Sequence, residues 1–315
     1  MFKTPILILV YNRSKYINKL LEILRKLNAQ NIYVSFDGAK KHKEDVNKCK
    51  EVNRSINNIN WKCNLYKNFL NKNYGCKLGV SKGLDWFFSK VKQGIIIEDD
   101  CIPSQDFFYF CEWSLNTYKH DKRVGGITGN NFLNNKVKLK DSFYYSKYAH
   151  CWGWATWRRT WKNYDKSIKF WENFKLSEKW EYFFLNHREK KYWEKIFNNV
   201  VNYSLDSWAY PWMLCIWKNK QLIITPKKNL VLNIGFNKDA THTNSKIHNF
   251  YYKVSKLKKP YIAPKKIRVN ESADNYVFRN HYRGENYLWP NRIFYLIKYL
   301  IVDPISFYKK LSKMF

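Results

Sequence analysis

Gly94-Ile95-Ile96-Ile97-Glu98-Asp99-Asp100 places three β-branched residues directly before three carboxylates. A short Ile run bounded by glycine predicts a strand buried on both faces of a sheet. The carboxylates then fall at its C-terminal end, where open α/β sheets bind their ligands. Adjacent acids repel one another and call for a cation. A hard divalent ion with oxygen ligands, sharing its other positions with substrate phosphates, suits them. The alternative is an ordinary acidic turn after a strand, closed by Pro103.

Upstream, residues 5–10 (Pro-Ile-Leu-Ile-Leu-Val) form a second buried-strand pattern, followed by the polar loop Tyr11-Asn12-Arg13-Ser14. Ser14 is the expected N-cap of the next helix. Ile17, Leu20, Leu21, Leu24 and Leu27 share one face of that helix, and Lys15, Lys19, Glu22 and Lys26 lie opposite. Asn31–Phe36 reads as a third strand, stopped by Asp37-Gly38. A strand–helix–strand opening predicts a parallel crossover unit. Residues 44–56 read as a polar helix, 61–69 as a strand, and 77–91 as a helix leading into the Ile run. Ser104 is placed to cap a helix that ends near Tyr118, and Val124–Thr128 reads as a short strand.

The character changes after Phe143. Residues 150–165 hold Trp154, Trp157 and Trp161, spaced to share one helical face. Such a stripe is either core-facing or an aromatic wall beside an acceptor sugar. Aromatic helices are expected around 171–186 and 188–201, then Asp206-Ser207-Trp208, a helix to about Trp217 and a strand at 222–225. Residues 233–243 form a polar loop. From about His248 the chain is rich in Lys and Tyr, with Pro260 and Pro264 as breakers. Residues 293–302 are apolar but too short to span a bilayer, and Lys309, Lys310 and Lys313 follow. This segment reads as a helix docked on the core or as an in-plane anchor on an anionic membrane.

With 315 residues, 45% of them hydrophobic and 19% aromatic, the chain is long and apolar enough for a large core. Its net charge of +32 implies an anionic partner: nucleic acid, a membrane surface or a phosphorylated substrate. The excess of Lys over Arg would also follow from an AT-rich genome. Seven scattered cysteines without a Cys-x-x-Cys pair read as reduced thiols of a cytosolic protein, with no zinc spacing. The N-terminus carries no signal-peptide pattern.

Four features in order carry a resemblance: Pro-Ile-Leu-Ile-Leu-Val-Tyr-Asn-Arg at 5–13; Val34-Ser35-Phe36-Asp37; the Ile-Ile-Ile-Glu-Asp-Asp strand with its continuation Cys101-Ile102-Pro103-Ser104-Gln105-Asp106-Phe107-Phe108; and the Trp/Asp-rich second half. Together they resemble GT-A-fold nucleotide-sugar glycosyltransferases, of the N-acetylglucosaminyltransferase I type and its bacterial relatives in surface-polysaccharide synthesis, over roughly residues 4–245. The resemblance implies an α/β fold with a Rossmann-like, mixed, mainly parallel sheet flanked by helices. It implies a glycosyltransferase domain at 1–247, with a nucleotide-sugar half (1–130) and an acceptor half (131–247). Residues 248–315 would be a basic extension.

The same resemblance implies site roles. Asp37 would hold the nucleobase and Arg13 the diphosphate. Asp100 would ligate Mn²⁺ or Mg²⁺, with Asp99 on the ribose or a metal-bound water and Glu98 in support. Leu205-Asp206-Ser207-Trp208 resembles the family's Trp-Asp-Asp-Trp segment, with Leu for the first Trp and Ser for the second Asp. Asp206 is therefore the expected catalytic base; Asp165 and a helix N-cap role for Asp206 stay open. His242 lies in a loop that resembles a segment closing over the donor and would ligate the metal, with Lys238 and Thr243 near phosphate oxygens. The expected activity is inverting transfer from a nucleotide sugar, UDP-linked by preference, to a membrane-linked glycan at the cytoplasmic face of the membrane. Rival readings are a single-stranded nucleic-acid binder, which basic and aromatic composition would serve, and a nucleotidyltransferase on the same scaffold. Against the first, the lysines are dispersed, no nucleic-acid-binding motif is visible and no nucleic-acid partner is expected.

Overall fold

In the first half, apolar runs become strands and amphipathic runs become the helices between them. β1 (Ile6–Val10), α1 (Ser14–Leu27), β2 (Asn31–Phe36), α2 (Lys43–Asn57), β3 (Asn64–Phe69), α3 (Gly75–Lys90) and β4 (Gln93–Glu98) follow in order. β5 (Cys101–Pro103), α4 (Gln105–Thr117) and β6 (Val124–Thr128) complete this half. The structure, a computed structural model, describes residues 1–184, 186–235, 253–288 and 290–304. α1 buries Ile17, Leu20, Leu21, Leu24 and Leu27, the face its periodicity marks. Ser104 caps α4, its Oγ accepting from the Phe107 amide at 3.3 Å. Ser14 does not cap α1. The cap position is Arg13, and the Ser14 hydroxyl donates to Glu51 of α2 at 3.2 Å.

The second half contains β7 (Phe143–Ser146), β8 (Trp154–Trp157), α5 (Arg158–Trp161), α6 (Trp171–Phe174), α7 (Glu178–Glu181), α8 (His187–Val201), α9 (Ala209–Lys218), β9 (Leu222–Pro226) and β10 (Val231–Asn233). The expected tryptophan helix is a strand for its first half. β8 pairs antiparallel with β4, Trp157 opposite Gln93 and Trp154 opposite Ile96, and only Arg158–Trp161 is helical. Sheet pairing overrides the helical spacing here. Trp154, Trp157 and Trp161 are all core, at 2%, 3% and 4% exposure, so none of them is a solvent-facing wall. Residues 171–186 likewise break into the single turns α6 and α7.

The strands form an eight-stranded sheet in the order β3-β2-β1-β4-β8-β6-β9-β7. β3, β2, β1 and β4 run parallel, β6 and β9 run parallel, and β8 and β7 are antiparallel to their neighbours. The result is the expected Rossmann-like, mixed, mainly parallel sheet flanked by helices. β1 is central, with Ile8 opposite both Val34 and Ile97. This register brings the loops after Val10, Phe36 and Glu98 to one edge. A second, two-stranded sheet pairs β5 with β10, Cys101 opposite Asn233.

The C-terminal stretch adds α10 (Glu271–Asn280), a 3₁₀ turn at Gly284–Tyr287 and α11 (Asn291–Val302). Residues 253–282 pack against the core. Leu257 N–H donates to Asp106 at 2.9 Å, Ile262 N–H to Ser142 Oγ at 2.9 Å, and Asn270 N–H to the Tyr145 carbonyl at 2.9 Å. Asp274 of α10 is buried against the end of β7, accepting from Ser146 Oγ at 2.6 Å and Lys147 N–H at 2.9 Å. Lys147 in turn pairs with buried Glu189 of α8 at 2.8 Å. Among the described residues no helix is long and apolar enough to cross a membrane.

Burial pushes the Asp274 carboxyl up to about 7, against the pull of Lys147 and its hydrogen bonds. A folded-state value above the unfolded one favours the fold at low pH, and that advantage is lost as pH rises through 7. The substitution Asp274→Asn copies the shape of the protonated acid, with its amide donating to Ser146 Oγ and its carbonyl accepting from Lys147 N–H. It should therefore flatten the decline in stability between about pH 5 and pH 8, read as denaturant midpoints at each pH. An unchanged slope would mean that Asp274 does not take up a proton on folding.

Candidate active site

The loops that meet at the edge of the parallel strands are tied together by carboxylates. Asp99 is buried, and its Oδ2 accepts from Tyr11 N–H at 3.0 Å. Its Oδ1 accepts from Arg13 Nη1 at 2.7 Å, and the same nitrogen lies 3.3 Å from Asp100 Oδ2. A guanidinium held by the chain thus supplies a cation to the acid cluster. Arg13 is strengthened as a cation by Asp99 and Asp100, which outweigh its own burial. Glu98 accepts a hydrogen bond from the Trp208 indole. Burial, then the charges of Asp100 and Asp99, push Glu98 up to about 8. Burial and Asp100 push Asp99 up to about 6, against the opposing pull of Arg13. These two acids hold protons more readily than isolated carboxylates because every added negative charge is poorly solvated there.

Asp37 follows β2 and closes the entrance to α3. It accepts from Tyr74 N–H at 2.9 Å, Gly75 N–H at 3.0 Å, Gly38 N–H at 3.1 Å and Asn73 Nδ2 at 3.2 Å. These four bonds match the four lone-pair positions of a carboxylate, so Asp37 holds the 73–75 loop. Gly75 turns that loop at φ +73°, a left-handed conformation that glycine adopts without a Cβ penalty. Asp45, not singled out in the sequence, does the same work beside it. It accepts from Tyr11 OH at 2.7 Å, Asn12 Nδ2 at 2.7 Å and Lys40 N–H at 2.6 Å. It sits in α2 among other exposed polar residues, with no spacing to mark it.

Asp100 is the more exposed of the two aspartates, its side chain at 16% against 6% for Asp99. The Asp100 carbonyl accepts from Ile234 N–H at 2.9 Å, and a Cβ added at Gly235 would lie 2.2 Å from the Asp100 Oδ2. Gly235 lies directly against this carboxylate, a contact that only a residue without a side chain permits. Asp206 lies on the other side. It is exposed, in the segment before α9, and its side chain makes no hydrogen bond among the described residues. It is not the N-cap of α9; that position is Trp208, and Ser207 Oγ accepts from Ala209 N–H. Cys76 at the start of α3 is pushed up to about 12 by its burial and then by the charges of Glu98, Asp206 and Asp100. Asp165, the alternative base, is committed to a turn, accepting from Ser167 Oγ at 2.6 Å and Lys169 N–H at 3.1 Å. His242, Lys238 and Thr243 lie outside the described residues.

Among the described residues no three His, Cys, Asp or Glu side chains are grouped to hold a metal. The arrangement fits an ion held by one protein carboxylate, Asp100, with phosphate oxygens and water in its other positions. Such a sparse protein share suits Mg²⁺ or Mn²⁺ bound with a nucleotide.

No protein-family model matches this chain, and neither does any curated protein. Solved structures that resemble it include HddC from Yersinia pseudotuberculosis, 15% identical over 50% of this chain and 78% of that one, with a TM-score of 0.31. An apo UDP-glucose pyrophosphorylase is 9% identical over 73% of this chain and 93% of that one, TM-score 0.36. An active-site mutant of LgtC is 11% identical over 75% of this chain and 91% of that one, TM-score 0.34. Likenesses this loose leave function to the site's own chemistry.

Gly235→Ala gives a direct check on the contact with Asp100. The added methyl must displace that carboxylate, so Mn²⁺-dependent nucleotide binding should weaken by about tenfold. Thermal unfolding should move little. Calorimetric titration of nucleoside diphosphate with and without Mn²⁺ reads the difference, and unchanged affinity would remove Asp100 from the ion site.

Proposed function

We propose that the chain is a metal-dependent, inverting glycosyltransferase that moves a sugar from a nucleotide-sugar donor, UDP-linked by preference, to a membrane-linked glycan acceptor. Lipooligosaccharide, O-antigen and capsule precursors are the acceptor classes in view. The observation that carries this reading is the cluster of Asp99, Asp100 and Arg13 at the C-terminal end of a central parallel strand, with Asp206 exposed in the segment before α9 and without a hydrogen bond among the described residues.

The donor diphosphate would lie over Arg13 and Asp100, between the loops that Asp37, Asp45 and Asp99 hold in place. A divalent ion on Asp100, with His242 as the expected second ligand, supplies positive charge to the leaving diphosphate. Asp206 takes the proton of the acceptor hydroxyl as its oxygen attacks the anomeric carbon. The bond from that carbon to the diphosphate oxygen breaks with its electron pair, so a single displacement inverts the centre. A nucleotidyltransferase would use the same strand ends but leaves Asp206 without work.

Asp100→Ala should abolish metal-dependent transfer with the fold intact by circular dichroism; retained turnover would remove this site from the reaction. Asp206→Asn should lower turnover by about 10²–10⁴-fold, the usual contribution of a general base, while nucleotide binding stays. Normal turnover would assign the base elsewhere.

The membrane part of the reading rests on α11. Ile293, Phe294, Ile297, Leu300 and Ile301 are 40%, 69%, 52%, 38% and 75% exposed, and their spacing puts them on one helical face. An exposed apolar face on a chain of net charge +32 suits the interface of an anionic leaflet. Phe294→Asp with Ile301→Asp should weaken binding to anionic vesicles by about tenfold or more in a flotation assay, with stability unchanged. Equal binding would assign α11 to something other than lipid.

A further inference from the structure

Beside Asp206, the first turn of α9 faces the segment 149–152 and the residues just after α10. Between them lies a cavity of about 140 Å³ whose walls include Phe132, His150, Trp152, Tyr210, His281 and Tyr282. An engineered protein cavity of about 150 Å³ holds one benzene ring, so this half-open space takes the ring atoms of at most one six-membered sugar, with its exocyclic groups toward the opening. It adjoins the acid cluster: Ala209 and Tyr210 on its wall follow Asp206 by three and four positions, and Cys151, also on the wall, lies within the field of Glu98 and Asp100.

The walls are braced against each other. His281 stacks on Phe132 at 3.7 Å between centroids, Tyr282 on His150 at 5.8 Å, and Trp152 meets Phe132 edge-on at 5.2 Å. The Trp152 amide is fixed by Asn130 Oδ1 at 3.0 Å. Burial and the neighbouring His281 hold His150 well below the usual imidazole range, so it stays neutral. A neutral imidazole presents one donor and one acceptor. Among the described residues, neither the His150 ring nor the Tyr210 hydroxyl makes a hydrogen bond within the protein. Among the described residues, no Lys, Arg, Asp or Glu lines this wall.

We infer that the cavity seats one neutral pyranose ring of the transfer reaction, its C–H face against the aromatic walls and its hydroxyls on His150 and Tyr210. This rests on the glycosyltransferase reading above. A carboxylate or phosphate on the ring would be buried there with no lysine or arginine among the described wall residues to pair with it, at a cost of several kcal/mol. Uronic acids, sialic acids and sugar phosphates are therefore excluded from this subsite. The ring belongs either to the donor or to the acceptor terminus, and both sources present the same chemistry.

The test is saturation-transfer NMR on the full chain with D-glucose, D-galactose, D-glucuronate and glucose 6-phosphate, each with and without nucleoside diphosphate and Mn²⁺. The neutral hexoses should receive saturation and the anionic ones should not. His150→Phe and Tyr210→Phe should each weaken hexose binding by about fivefold to tenfold, the worth of a lost hydrogen bond or two. Ala209→Phe should fill the cavity and abolish it. Thermal unfolding reports whether each variant folds, and nucleoside diphosphate binding should be unchanged in all three. A UDP-hexose that displaces the free sugar where UDP does not assigns the ring to the donor; a free sugar that stays bound beside UDP-hexose assigns it to the acceptor. Anionic sugars binding as well as neutral ones, no hexose binding, or unaltered affinity in the folded variants would overturn the inference. Failure of the wild type to bind any nucleoside diphosphate would instead overturn the glycosyltransferase reading, while the hexose measurements still decide the cavity.

Discussion

Arg13 Nη1 stands 2.7 Å from Asp99 and 3.3 Å from Asp100, and the rest of the strand edge is built around that contact. A strand whose apolar residues are fully buried must deliver its terminal acids into a poorly hydrated place. Without a nearby cation the acids would simply protonate. Arg13 comes from the loop after β1, the neighbouring strand, so the ion pair also fixes how two adjacent strand ends meet. The Tyr11 amide, two residues earlier, closes on the other oxygen of Asp99. The contact therefore works as a joint between loops as much as a neutralisation.

The same device recurs around it, and it divides the acids into two kinds. Asp37 and Asp45 spend their lone pairs on backbone amides and short polar side chains of neighbouring loops. Asp99 spends its own on Tyr11 and Arg13, and Glu98 takes the Trp208 indole. Asp100 shares Arg13 at 3.3 Å and is partly exposed, and Asp206 is exposed. Holding acids gain from being buried and saturated, because rigidity follows from satisfied hydrogen bonds. Working acids must keep a lone pair for a metal, a proton or a substrate. The arrangement of Asp100 and Asp206 meets that requirement, and rigid neighbours keep them in place.

The strand that decides the fold was legible because its signal is local: three isoleucines, a bounding glycine and the acids after them. So were β1, α1 and β2, where period and stop signals agree. Arg13 as the partner of Asp99 was not legible, since it depends on which strands lie side by side. The tryptophan spacing of 154, 157 and 161 pointed to a helix, yet β4 needed a partner on its far edge and took β8. Ser14 has the chemistry of a cap, but Arg13 turns back toward the acids and Ser14 enters the helix. Composition set the stretch after His248 apart as a basic extension. Its apolar minority nevertheless packs inward, with Leu257, Val277 and Phe278 buried and Asp274 joined to β7. Sequence periodicity reports one element at a time, and these departures all arise where two distant elements meet.

The many tryptophans have a reason that their spacing does not reveal. An indole is a large apolar body with a single neutral donor. Several of those donors reach acceptors from the core: Trp161 to Asp85 at 2.8 Å, Trp180 to Glu194 at 3.2 Å and Trp217 to the Lys147 carbonyl at 2.6 Å, while the buried Trp154 and Trp193 indoles have no partner among the described residues. A lysine or arginine in these positions would satisfy the same acceptors but carry its charge inward. With net charge +32, more interior cations would raise the potential wherever a neutral ring has to sit. Using indoles as donors limits the interior cations, of which Lys147 is one, paired with Glu189 at 2.8 Å. Among the described residues, the cavity wall beyond Asp206 carries aromatic rings and no Lys, Arg, Asp or Glu. An ionic strand edge around Arg13 and an aromatic cavity wall thus lie next to each other, and a ligand that spans them would meet two different polarities.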